Sequence, residues 1–317
     1  MDLKSLLKSL DMNEIKLFNI PNYTIHTTEF SNLLHDEIVV EVEQLIADYV
    51  GAKYACSVNS ATSAIFLAFV GKKITVNVPS VIPPVVLNAI LTSGNKINFV
   101  DNIEWVGGSY ILHDFKNYKI IDSAQKIEKN QFKQEANPND LMIFSFYPTK
   151  PIGGCDGGMI VSDDYEKIKW FKEASLNGMS FAENNWERQI IFPGWKMYMN
   201  SIQAFFVKQN FLRLADKYQR LDYIQSKYNT AFRMNNKSHH LYRVNVENRE
   251  RVIEKLKVAN ISYGIHYDAQ HMNLVYTKNK IDLPKSFNEA NTTLSIPFNE
   301  RLTEKELDLI IGEITYE

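Results

Sequence analysis

Cysteine is almost absent from this chain. There are two, Cys56 and Cys155, too few for a disulfide framework or a cysteine metal motif. Both are expected to be buried spectator thiols, and a reducing cytoplasm is the expected compartment. No apolar run is long enough to span a bilayer. The N-terminal stretch has helical spacing at Leu3, Leu6, Leu7 and Leu10, but lysines and acids interrupt it, so it does not read as a signal peptide. Excess charge is missing as well. Thirty-five basic residues against 37 acidic ones give a net charge of −2, which argues against nucleic acid or an anionic membrane as a partner. Repeats, low-complexity segments and coiled-coil heptads are also lacking.

What is present belongs to an ordinary globular protein. The 317 residues are 45% hydrophobic and 23% charged, enough for one large domain and a smaller one. Short apolar strands alternate with helices. The spacing predicts helix Glu37–Val50, strand Tyr54–Val58, helix Ala61–Val70, strand Thr75–Val78 and a helix near Pro84–Thr92. Strands Ile97–Val100, Lys119–Ile121, Met142–Phe146 and Met159–Val161 follow, then helix Asp164–Leu176. The stretch between Asp101 and Lys119 is weakly patterned. This rhythm predicts an α/β fold whose mostly parallel sheet is covered on both faces. Asn200–Phe232 has no proline or glycine and reads as one long helix or two in line. A smaller α/β unit follows, with strand His240–Val246, helix Arg249–Val258, strand Ser262–His266 and a last helix Glu304–Ile311. Thr303 and Glu306 form a capping box for that helix. The expected division is a large domain over 1–212 and a small one over 213–317.

The chemistry centres on Asp140–Val161, DLMIFSFYPTKPIGGCDGGMIV. Two apolar runs flank Lys150, and Pro148 and Pro151 rule out a helix around it. A lysine at the mouth of buried strands has either a surface place in a hairpin loop or a task. Desolvation would lower its pKa and suit it to form a Schiff base. Asp122 ends the strand in IIDSAQ and could pair with a protonated pyridine nitrogen; the plainer role is a helix cap. In SVNSATSA, Ser57–Ala64, a helix begins after a strand. Its backbone N–H groups and the hydroxyls of Ser60 and Thr62 could hold a phosphate. Lysine, aspartate and phosphate cradle together point to pyridoxal 5'-phosphate.

Seven motifs in order carry a resemblance: NSATSAI, VPSVIPPVVLNAI, IIDSAQ, FSFYPTK with DGGMIV, GWKMYMNSIQA, GIHYDAQH and LSIPFNERLTEKEL. From about Asp36 onward the chain resembles the DegT/DnrJ/EryC1/StrS sugar aminotransferases, which have the type I pyridoxal phosphate fold of aspartate aminotransferase. The resemblance implies that Lys150 carries the cofactor and moves the proton, and that Asp122 keeps the ring nitrogen protonated. It places Gln125 beside the ring, and Ala61, Thr62 and Ser145 at the phosphate. Ala61 stands where the family usually has glycine. Pro83 stands where it usually has a ring-stacking aromatic, a role Tyr147 could take over. Lys196, with Tyr198 nearby, matches a stretch that reaches the phosphate of the partner subunit, which implies a homodimer with shared sites. His266, Tyr267 and His271 match a small-domain motif expected to line the entrance. No carboxylate or cysteine cluster accompanies them, so no metal site is expected. The chain is shorter than typical members at its N-terminus and between Asp101 and Ile120.

The resulting expectation is amination of a nucleotide-linked keto-deoxysugar. L-glutamate would be the donor, and the cycle would run through pyridoxamine phosphate toward a polysaccharide or other glycan. The motifs lean toward C3 over C4 amination. Lys150 argues against the family's dehydratase branch, which has histidine there. Two further alternatives are a catalytically silent dimeric binding protein on the same fold and an enzyme acting on free amino acids.

Overall fold

A computed structural model of the protein describes residues 14–20, 37–180 and 187–315. The leucine-spaced stretch from Leu3 to Leu10 lies outside them. Of the two thiols expected to be buried, Cys56 is, whereas Cys155 is exposed. Five strands form the central sheet: β1 (Tyr54–Val58), β4 (Tyr110–Asp114), β5 (Lys119–Asp122), β6 (Leu141–Ser145) and β7 (Gly158–Ser162), in spatial order β1-β7-β6-β5-β4. A parallel pair, β2 (Thr75–Pro79) and β3 (Lys96–Val100), forms a second sheet. The α/β expectation holds, with mixed pairing. β5 and β6 run parallel, whereas β1, β6 and β4 each lie antiparallel to a neighbour.

Strands β1, β5, β6 and β7 are buried on both faces, which explains why they read as continuous apolar runs. Successive residues part to opposite sides. Cys56, Ile120, Ile143 and Ile160 pack with helices α2 (Ala61–Phe69), α3 (Pro84–Thr92) and α5 (Tyr165–Ser175). Ala55, Ile121, Met142, Phe144, Met159 and Val161 pack on the other side with α1 (Glu37–Val50), α4 (Gln131–Glu135) and α6 (Ser201–Phe211). A third apolar cluster is built by α7 (Leu214–Phe232), β8 (Tyr242–Asn245), α8 (Arg249–Val258), β9 (Thr293–Ile296) and α10 (Glu304–Thr315), with Ile15 packed into it.

Several elements differ from the sequence expectation. The weakly patterned stretch before Lys119 forms β4, whose Ile111 is exposed and His113 half-buried, so no clean alternation announces it. Of the two arrangements expected for Asn200–Phe232, two helices form, with a break at Leu212–Arg213. Ser262–His266 is not a strand, because only Gly264 makes a bridge, to Ser295 in β9. α9 (Pro284–Thr292) and β9 take up a region to which the sequence reading assigned no element. The last helix runs four residues further, to Thr315. Among the described residues no helix is long and apolar enough to cross a membrane.

Candidate active site

Lys150 stands in the loop between β6 and β7. The strands' antiparallel pairing forces a tight return, and glycines permit it. Phe146 and Gly157 continue the pairing past Ser145, with the Phe146 N–H donating to the Gly157 carbonyl at 2.9 Å. The Gly154 N–H donates to the Phe146 carbonyl at 2.7 Å. A Cβ on Gly153 would lie 2.3 Å from the Pro148 carbonyl oxygen, so only glycine fits that return. The loop aims Lys150 into a cavity of about 380 Å³. Its Nζ lies 3.2 Å from His240 Nε2. Burial pushes the amine down to about 8, against the pull of Asp122.

Asp122 closes β5 and is buried. Its Oδ1 accepts from the Ala124 N–H at 2.9 Å, and its Oδ2 accepts from the Tyr110 hydroxyl at 2.9 Å. Burial raises its pKa, while those two hydrogen bonds and Lys150 oppose the rise. Gln125 is also buried. It accepts from the Gly107 N–H at 2.7 Å and donates from Nε2 to the Tyr267 hydroxyl at 2.8 Å. Tyr267 is thereby tied to Gln125 in the cavity wall. His266, beside it, is held by Ser295 Oγ at 2.9 Å from Nδ1. Burial, with Lys150 and Arg243 nearby, pushes the His266 imidazole down to about 4, so it is neutral.

The third part is the start of α2. Ser60 is its N-cap, with its side chain accepting from the Ser63 N–H at 3.2 Å. Ala61 and Thr62 follow in the first turn, where N–H groups have no intrahelical partner. Gly158 at the start of β7 packs directly under this turn: a Cβ there would lie 2.5 Å from Ala61 N and 2.6 Å from the Ser60 carbonyl carbon. The lysine hairpin and the helix start are thus fitted against each other.

Eleven of the residues singled out from the sequence line this one cavity: Ser60, Ala61, Thr62, Pro83, Asp122, Gln125, Ser145, Tyr147, Lys150, His266 and Tyr267. Lys196 and His271 do not. Lys196 is exposed and makes a backbone bridge with Leu176, and His271 is buried with its Nδ1 2.6 Å from Ser80 Oγ. The sequence reading missed Trp105, Asp156 and His240, which line the cavity as well. Asp156 stands inside the glycine run DGG, where it read as part of a turn. His240 read as the start of a strand, and nothing local distinguishes it from its neighbour His239. Among the described residues, no group of three or more histidine, cysteine or acidic side chains is placed to hold a metal ion.

These groups fit pyridoxal 5'-phosphate. The cavity falls within the size range of cofactor pockets. Ala61 and Thr62 offer N–H groups at a helix N-terminus, with hydroxyls from Ser60, Thr62 and Ser145, as a phosphate requires. Asp122 offers a buried carboxylate for a ring N–H, and Lys150 a desolvated amine for an aldehyde.

Comparison with known proteins agrees. The sequence model of the DegT/DnrJ/EryC1/StrS aminotransferase family matches residues 23–104 and 118–315. The spore coat polysaccharide biosynthesis protein SpsC of Bacillus subtilis is 28% identical, over 87% of this chain and 88% of that protein. A UDP-4-amino-4,6-dideoxy-N-acetyl-beta-L-altrosamine transaminase of Campylobacter jejuni is 26% identical, over 92% of this chain and 94% of that protein. Two solved structures share the fold. AtS13 from Actinomadura melliaura superposes with a TM-score of 0.81 at 16% identity, covering 97% of this chain and 100% of the other. The PMP form of the putative sugar aminotransferase Spr1654 from Streptococcus pneumoniae gives 0.76 at 19% identity, covering 95% and 97%; that protein is also solved in a PLP form. With its lysine hairpin, aspartate and helix start in the family's order and the family match running through all three, the chain belongs to the DegT/DnrJ/EryC1/StrS aminotransferase family.

Proposed function

We propose that the protein transfers an amino group from glutamate to a keto-deoxysugar carried on a nucleotide. Aminotransferase activity and the pyridoxal phosphate cofactor come with family membership; the nucleotide, the donor and the dimer are our reading. The observation that carries it is the convergence of Lys150, Asp122 and the α2 start on one cavity. A second cavity of about 640 Å³, lined by Lys126, Asn236, Lys237 and Arg243, borders the first at Gly108 and gives room for a substrate larger than a free keto acid.

When bound, pyridoxal phosphate supplies an aldehyde carbon for the amino group and a ring that accepts electrons. Lys150 acts on the proton. With its amine near 8, about a quarter of the molecules carry a free amine at pH 7.5, against about one in a thousand at the ordinary lysine value. That amine would hold the cofactor, and as a free base it would take the proton from the donor's α-carbon. His240 at 3.2 Å is kept neutral by burial and by Lys150, so it adds no charge beside Nζ. Asp122 holds the proton on the ring nitrogen, and the α2 start holds the phosphate. Tyr267 and Gln125 close the ring end against water. We further propose a large domain over 1–212, a small one over 213–317, and a homodimer in which Lys196 of one subunit reaches the phosphate held by the other. Its exposure and its position outside its own cavity support that arrangement.

Near-visible absorption tests this reading. Purified protein given pyridoxal phosphate should develop a band that Lys150→Ala lacks, and glutamate should bleach it. A missing band would sink the reading. A band that no amino donor bleaches would favour a silent binding protein.

A further inference from the structure

The family match leaves 105–117 uncovered, yet this stretch is tied into the site at three points. Trp105 Nε1 donates to the Val81 carbonyl at 3.1 Å. The Gly107 N–H donates to Gln125 Oε1, and the Tyr110 hydroxyl donates to Asp122 Oδ2 at 2.9 Å. The last contact follows from strand pairing. Tyr110 lies directly opposite Asp122 in the antiparallel β4–β5 register, so the two side chains share one face of the sheet. The Tyr110 ring packs 4.6 Å from that of Trp105, centroid to centroid. Trp105 in turn lies parallel to Tyr267 at 6.2 Å. The hydroxyl is therefore braced from behind by two aromatic layers. Burial and the Asp122 charge hold its pKa well above the ordinary tyrosine value, so it remains a donor.

We propose that Tyr110 is a positioning residue for Asp122, fixing the carboxylate that faces the cofactor's ring nitrogen. The proposal rests on the pyridoxal phosphate reading above. Asp122 is gripped at both oxygens, Oδ1 by the Ala124 N–H and Oδ2 by Tyr110. A carboxylate held this way presents one orientation and retains lone pairs for a third donor. Lys150 is the nearby cation that acts on it. The antiparallel pairing of β4 with β5 delivers that second grip.

The test compares two ligands on the full-length protein. One is pyridoxal 5'-phosphate; the other is its carbocyclic analogue, with the ring nitrogen replaced by C–H. The analogue has no ring proton for Asp122 to hold. Tyr110→Phe should bind pyridoxal phosphate roughly tenfold or more weakly, the loss set by one hydrogen bond to a charged group. It should bind the analogue as wild type does. Equilibrium dialysis reads both affinities without turnover. Equal weakening of both ligands shows a damaged cavity and overturns the proposal, as does unchanged affinity for pyridoxal phosphate. Wild-type protein that binds neither ligand overturns the cofactor reading itself, and this inference with it.

Discussion

Replacing Lys150 with methionine should change how the stability of the cofactor-free protein depends on pH. The folded protein holds this amine near 8, because burial removes its hydration and Asp122 restores only part of the loss. In the unfolded chain the same amine titrates near 10.4. Well below pH 8 both states are protonated, and the native state carries the whole cost of a buried ammonium. Between the two values the unfolded state binds more protons than the native one, so wild-type stability rises with pH. At 1.36 kcal/mol per pH unit, the gap amounts to about 3 kcal/mol. Methionine matches the length of the lysine stem and cannot titrate. Whatever Asp122 loses with the ammonium shifts the variant by an amount that is nearly constant across this window. The stability advantage of Lys150→Met over wild type should therefore shrink by about 2.5 kcal/mol from pH 8 to 10.5. Urea denaturation followed by tryptophan fluorescence at half-unit steps measures the difference directly. A difference that stays flat would mean that the amine is solvated, and the case for a poised nucleophile would fail. A difference that widens with pH would reverse the sign of the burial argument.

Two further outcomes are expected. Gly158→Ala drives a Cβ into the backbone of Ser60 and Ala61. Overpacking of that kind costs about 1–3 kcal/mol, so the melting temperature should fall by several degrees and pyridoxal phosphate should bind more weakly than to wild type. Calorimetry and a cofactor titration check both, and an unchanged affinity would separate the α2 start from the phosphate. Lys150→Ala and Lys196→Ala should each be inactive alone, yet mixing refolded subunits should recover about a quarter of wild-type activity, since half the dimers then hold one intact site. No recovery on mixing would place both residues in one subunit's site, and an active Lys196→Ala would put Lys196 outside catalysis.

The parts of the site that were legible in the sequence are those where a local pattern has a local cause. Pro148, Pro151 and the glycines around Lys150 announce a tight return because backbone sterics demand it. NSATSAI announces a helix start because Ser60 caps it. The residues that escaped notice act across the fold. Tyr110 matters only because β4 pairs with β5 in a register that sets it opposite Asp122. Nothing in the sequence of 105–117 specifies that pairing, because β4 has one side half open. His240 reaches Lys150 over 90 residues of chain. The missing strand at Ser262–His266 has a similar cause: only Gly264 pairs with β9, and the residues after it turn toward the cavity. The break at Leu212–Arg213 leaves no mark of composition, since neither residue opposes a helix.

The close seat of Gly158 beneath Ala61 has a consequence for local opening. Two segments nearly a hundred residues apart in sequence, the turn after β1 and the return of the lysine loop, meet there without room for an extra carbon. Val58 and Gly158 are also partners in the β1–β7 ladder, so opening either segment breaks contacts of the other. Their amide protons should exchange with solvent together, as one cooperative unit, and phosphate held at the helix start should slow exchange across the lysine loop.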